Sequence, residues 1–211
     1  MNTPDIGEAS KPRFEFRSFG HQFDSAHQRM AELSVPVPEA VRERHSEEVY
    51  IISRKDDTNN VKIRGGKMDI KTFIQTVDGL EQWEPSMKEQ FPIPRSVLLE
   101  RVLPALQVDM DLPEEPSFTA SMLTDLVRHH PDLETVSVQK QRFGYMVHDT
   151  ICEYAVVWIN DTCVATVSAE STERDAVHWT LNDTGLEGVE NINYLQAIKR
   201  VIGMVSEPLA N

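Results

Sequence analysis

The chain has 211 residues, with 21 Lys+Arg against 34 Asp+Glu and a formal net charge of −13. That balance argues against a nucleic-acid or anionic-membrane binder acting through its general surface, because such surfaces are basic. Hydrophobic residues at 40% and charged ones at 26% exclude a wholly disordered chain, and no run approaches the ~20 apolar residues of a membrane span.

Residues 1–12 are polar, with Pro and Gly, and predict a loose tail ahead of one domain over 13–211. MNTPDIGEASKPRFE lacks the apolar core of a signal peptide, so a cytoplasmic location is expected. RFEFRSF (13–19) alternates as a strand does, and a polar helical stretch follows near 24–33. EEVYIISR (47–54) reads as a second strand. NVKIRGGKMDIKTFI (60–74) reads as a hairpin turning at Gly65-Gly66, and GLEQWEP (79–85) opens the next strand. SVLLERVLPAL (96–106) has apolar residues at helical spacing just after Pro94. DMDLPEEPS (109–117) is acidic, Pro-punctuated and linker-like. TASMLTDLVRHH (119–130) is a short helix that Pro131 helps to stop. TVSVQKQRFGYMVH (135–148) precedes two β-rich runs joined at Asn160-Asp161, and AVHWTLN (176–182) follows with its type open. An amphipathic helix near 190–206 closes the chain, carrying Ile192, Leu195, Ile198, Ile202 and Val205. Strands in mostly hairpin order, with helices at the breaks, predict α+β with an antiparallel sheet or barrel. The hairpin register separates Cys152 from Cys163 by roughly 20 Å, so two free thiols are expected.

Side chains at i and i+2 of a strand share a face. Glu15 and Arg17 therefore lie opposite Phe14 and Phe16. In the Gly-Gly hairpin Arg64 faces Lys67, Lys62 faces Asp69 and Asn60 faces Lys71, with Val61, Ile63, Met68 and Ile70 behind them. Lys140 and Arg142 repeat the pattern, and Glu153 and Glu170 fall diagonal to one another in the last hairpin. Any one such strand is most simply a solvated face over a core. Several together, with like charges set side by side, point to an anion site. Phosphate fits it, because Arg and Lys supply charge-assisted donors and carboxylates can hold Mg²⁺ or Mn²⁺ against phosphate oxygens.

RFEFRSF, VKIRGGKMDIK, VQKQRFGYMV, VATVSAES and the closing ENINYLQAIKRVIG, in that order, resemble a CYTH domain of the triphosphate tunnel metalloenzyme superfamily. The resemblance implies an eight-stranded antiparallel barrel with flanking helices, whose tunnel is lined by basic residues that bind a triphosphate. Its opening E-x-E-x-K falls on Arg13, Glu15 and Arg17, and its K/R-x-R on Lys62 and Arg64, followed by Lys71. Glu81 matches a carboxylate of the next strand, and Lys140 and Arg142 match the later K-x-R. Glu153 precedes the last hairpin, and the terminal E-x-E gives only Ser168 and Glu170. By that likeness Glu15, Glu153 and Glu170 are the metal-holding and catalytic acids, and Arg17, Lys62, Arg64, Lys71, Lys140 and Arg142 the phosphate-binding cations. Arg13 and Ser168 stand where the family has acids, so the cations are better kept than the metal ligands.

Two functions follow. One is a Mg²⁺- or Mn²⁺-dependent phosphohydrolase of inorganic, thiamine or nucleoside triphosphate. The other is a non-catalytic module that binds a small phosphorylated ligand. Neither nucleic acid nor a membrane is an expected partner. Remaining features read blandly: Glu47-Glu48 and Glu114-Glu115 as solvated strand-edge and loop charges, His129-His130 as a helix end, and Trp83 as a rim or core residue.

Overall fold

The computed structural model describes residues 12–210, so the tail expected over 1–12 lies, apart from Pro12, outside the described residues. The elements run β1 (Arg13–Gly20), α1 (Asp24–Leu33), α2 (Glu39–Arg42), β2 (Glu43–Ser53), β3 (Asn59–Arg64), β4 (Lys67–Val77), β5 (Leu80–Gln90) and β6 (Ile93–Pro94). α3 (Arg95–Val97) continues through a π-helical turn (Leu98–Val102) into α4 (Leu103–Leu106). Then come β7 (Ser117–Phe118), α5 (Ala120–Arg128), β8 (Leu133–Val147), β9 (Thr150–Ile159), β10 (Thr162–Ser171), α6 (Arg174–Thr184) and α7 (Tyr194–Val201). Eight of these strands close an antiparallel barrel in the order β1-β10-β9-β8-β2-β3-β4-β5, with β5 returning to β1.

Local sequence accounts for the hairpins and caps. Gly65 and Gly66 both adopt left-handed φ, +55° and +72°, as a two-residue turn between twisted strands requires. The register read from the sequence holds: Lys62 pairs with Asp69, Arg64 with Lys67, and Trp158 with Cys163. Both cysteines are free, Cys152 buried and Cys163 exposed. Asn193 and Gln196 form a capping box that starts α7. The open segment 176–182 lies in α6, where Gly185 ends the helix in a left-handed conformation.

Two corrections concern the connections. The acidic stretch 109–117 is not a loose linker, because Leu112 is buried and Arg95 donates side-chain hydrogen bonds to the Leu112 and Pro113 carbonyls. β2 begins four residues earlier than expected, since it pairs with β8 continuously from Glu43↔Phe143 to Ser53↔Leu133.

Apolar residues form two outer layers and one inner one. Helices α3 to α5 cover β3 and β4 around Leu98, Phe118 and Leu123, while α6 covers β1 and β10 around Val177 and α1 packs between α6 and β8 around Met30. The inner cluster lies in the lumen, because inward positions change character halfway along the strands. On β2, Arg44 and Glu48 give way to Tyr50 and Ile52; on β8, Arg142 and Lys140 give way to Val138 and Val136. Tyr194, Leu195 and Ile198 of α7 pack against this apolar half. No helix among the described residues is long and apolar enough to cross a membrane.

Gly144 on β8 is required by close approach. A Cβ there would sit 2.6 Å from the Val41 carbonyl oxygen at the end of α2. Gly144→Ala is expected to lose about 1–3 kcal/mol by denaturant unfolding; unchanged stability would contradict that contact.

Candidate anion-binding tunnel

The polar half of the lumen is a cavity of about 450 Å³. All nine predicted site residues line it: Glu15 and Arg17 from β1, Lys62 and Arg64 from β3, Lys71 from β4, Lys140 and Arg142 from β8, Glu153 from β9 and Glu170 from β10. Arg13 and Ser168, the departures from the family pattern, line it too. Among the described residues nine cationic and five acidic side chains face the cavity, an excess of four positive charges inside a chain of net −13. Strand alternation causes this segregation, turning one side chain in two inward.

Glu48 is the main correction to the sequence reading. It is no strand-edge charge: its side chain is 0% exposed and sits at the centre of the cations. Its Oε2 lies 3.1 Å from Lys62 Nζ and 3.0 Å from Lys140 Nζ, and its Oε1 lies 3.3 Å from an Arg142 nitrogen. Burial alone would raise this carboxyl, but Lys140 and Lys62 hold it far below the usual carboxylate range. Arg44, Tyr50 and Tyr194 also escaped the sequence reading. Placing β2 from Glu43 would have put Arg44, Glu48 and Tyr50 on one inward row.

Tyr50 and Tyr194 form the floor between the two halves of the lumen. Their rings stack at 5.6 Å, and Lys140 Nζ lies 3.8 Å from the Tyr194 ring centroid. Arg17 lies over the same ring at 4.9 Å. Arg44 Nε, Arg142 Nε and the Tyr194 hydroxyl are buried donors without a hydrogen-bond partner among the described residues. Trp83 lines the wall, but its Nε1 donates to Glu81 at 2.8 Å and its ring packs edge-on against Phe73, so it is a wall residue.

The acids are already engaged. Glu15 lies 3.2 Å from Arg17, Glu170 3.2 Å from Arg13, and Glu153 3.2 Å from Arg44, with Arg17 and Arg142 at 3.7 and 3.8 Å. Burial would raise the Glu15 carboxyl, but Lys71 and Arg17 outweigh it and bring it below its ordinary value. Glu170 is raised by burial and by Glu15 opposite it. The register sets Glu81, Glu15 and Glu170 side by side across β5, β1 and β10, yet Glu81 turns to Trp83 and Asn193. No group of three or more His, Cys, Asp or Glu among the described residues is arranged to hold a metal ion. The expected trio Glu15, Glu153 and Glu170 lies in one cavity with each acid on an arginine, so holding Mg²⁺ or Mn²⁺ there requires those ion pairs to open.

No known family model matches the chain, and no curated protein matches it. Solved structures do. A candidate adenylate cyclase from Bacillus halodurans aligns with TM-score 0.52 at 11% identity, covering 88% of this chain and 96% of that one. A candidate adenylyl cyclase from Hippeastrum, described as having a dominant triphosphatase activity, aligns with TM-score 0.46 at 13% identity, covering 92% and 96%. The first likeness bears out the CYTH resemblance at the level of the fold.

Proposed function

We propose that the tunnel binds the phosphate chain of a small triphosphate-class molecule, with Arg17, Lys62, Arg64, Lys71, Lys140 and Arg142 as its phosphate-binding cations. One observation carries this reading: four excess positive charges converge on the lumen. Enclosed cations without enough counter-charge are costly, and phosphate oxygens would supply it. The acidic exterior disfavours nucleic acid, while a narrow polyanion can enter. Binding requires no resident metal, since Arg13 supplies positive charge beside Glu170 where the family pattern has an acid.

Thermal unfolding with tripolyphosphate in EDTA tests this reading. Ligand at about 100 times Kd should stabilise the chain by about 2.7 kcal/mol. No shift, or an equal shift with sulfate at matched ionic strength, would overturn it. A second reading, hydrolysis of the bound chain, is favoured by the Glu81–Glu15–Glu170 row. It requires those side chains to leave their present partners. Phosphate release with Mg²⁺ or Mn²⁺ that is lost in Glu15→Ala would establish it.

A further inference from the structure

Glu48 has no role in the phosphate contacts proposed above, yet it is the most enclosed acid of the tunnel. Both of its oxygens are occupied. Oε2 takes Lys62 and Lys140; Oε1 takes Arg142 and, at 3.4 Å, the Ser46 hydroxyl, with Arg64 at 3.9 Å. Lys140 has two further neighbours, the Tyr50 hydroxyl at 3.0 Å and the Tyr194 ring, neither of which carries a formal charge.

The other acids around this cluster are engaged elsewhere. Asp69 of β4 lies 2.7 Å from Arg64, and Glu153 of β9 is held by arginines. Across the lumen Arg17 of β1 pairs with Glu15. Among the described residues Glu48 is thus the one carboxylate in ion-pair contact with both buried lysines of the tunnel, Lys62 and Lys140. Two ammonium groups this deep and this close repel one another and lack bulk water, and a carboxylate between them offsets both effects.

We propose that Glu48 is a positioning residue, a built-in counter-anion that keeps Lys62 and Lys140 protonated in the empty tunnel until a ligand's phosphate chain takes over that role. Burial lowers both lysines and Glu48 opposes the shift in each. Lys62 also has Asp69 opposing it against Arg64 and Lys71, while Lys62 and Arg142 lower Lys140 further and Glu48 is the acid that opposes them. Without it the pair sheds a proton at lower pH. Ligand entry then restores that proton, because the phosphate supplies the missing negative charge.

This inference rests on the phosphate-chain reading for its purpose, but its first test needs no ligand. An NMR titration of the lysine Cε and Nζ resonances in the empty protein should show the Lys62 and Lys140 midpoints lower in Glu48→Gln than in the wild type, by about one pH unit or more. Glu48→Asp, which keeps the charge, should return them most of the way. Unchanged midpoints in Glu48→Gln would overturn the proposal, whether or not tripolyphosphate binds.

The second test compares tripolyphosphate affinities. The ratio of the Glu48→Gln Kd to the wild-type Kd should rise with pH, by up to about tenfold per unit for one linked proton. The ligand's own titration cancels in that ratio. A merely structural role would give a ratio independent of pH, and that result would contradict the proposal. Should Glu48→Gln fail to fold, Glu48→Gln/Lys140→Met removes both members of the pair and should fold; failure of that variant too would count against charge compensation.

Discussion

Replacing Lys62 and Arg64 together by alanine is expected to weaken tripolyphosphate binding by about 10²–10⁴-fold. A hydrogen bond to a charged group contributes about 1.5–3 kcal/mol, so two lost contacts give about 3–6 kcal/mol, and each 1.4 kcal/mol is tenfold in Kd. Both side chains leave β3 on the face turned to the lumen, and both lie near Glu48. The fold should survive, because Glu48 retains Lys140 and Arg142. Isothermal titration calorimetry separates the outcomes. Unchanged affinity in a folded double variant would mean that the ligand does not enter between these strands.

The second large effect is on stability. Tyr194→Ala should cost about 3–5 kcal/mol in urea unfolding, the range for deleting a buried aromatic ring. The ring is stacked on Tyr50, meets Phe19 edge-on at 4.8 Å and lies under two cations. Its loss would leave Lys140 and Arg17 without a floor. Tyr194→Phe keeps the ring and removes only a hydroxyl that has no partner, so its stability should stay near wild type. Its tripolyphosphate affinity should fall by up to about tenfold, one hydrogen bond's worth. A Tyr194→Ala variant within about 1 kcal/mol of wild type would show that α7 does not plug the barrel as described.

Much of the tunnel was legible because a strand's period of two is strict. Once RFEFR, VKIR, KMDIK and QKQR are read as strands, the residues Glu15 and Arg17, Lys62 and Arg64, Asp69 and Lys71, and Lys140 and Arg142 must share faces, and the structure turns every one of these faces inward. The hairpin turns set the pairing, so the opposition of Glu153 with Ser168 was readable as well.

What was not legible depended on partners remote in sequence. The β2 start at Glu43 is set by pairing with β8, about a hundred residues away, and RERHSEE has no apolar alternation to announce it. Nothing near Glu48 in the sequence marks it as buried, although the cations that surround it are readable from their own strands. The helix of 194–201 showed its apolar stripe, but a stripe does not say what it covers. That it fills half of the lumen, and places Tyr194 under the cations, is a tertiary fact. The direction of the acids is also a tertiary matter: register brings Glu15, Glu81 and Glu170 abreast, while Arg17, Trp83 and Arg13 decide where each side chain turns.

The central claim is that this acidic chain keeps a cationic interior for a phosphate chain, without a resident metal. A crystal structure of the protein grown with tripolyphosphate and EDTA tests it most directly. The account predicts phosphates inside the barrel, in contact with Lys62, Lys140 and Arg142 above the Tyr194 ring. Phosphates bound only on the exterior, or inside only when a divalent ion joins them on Glu15 and Glu170, would contradict it.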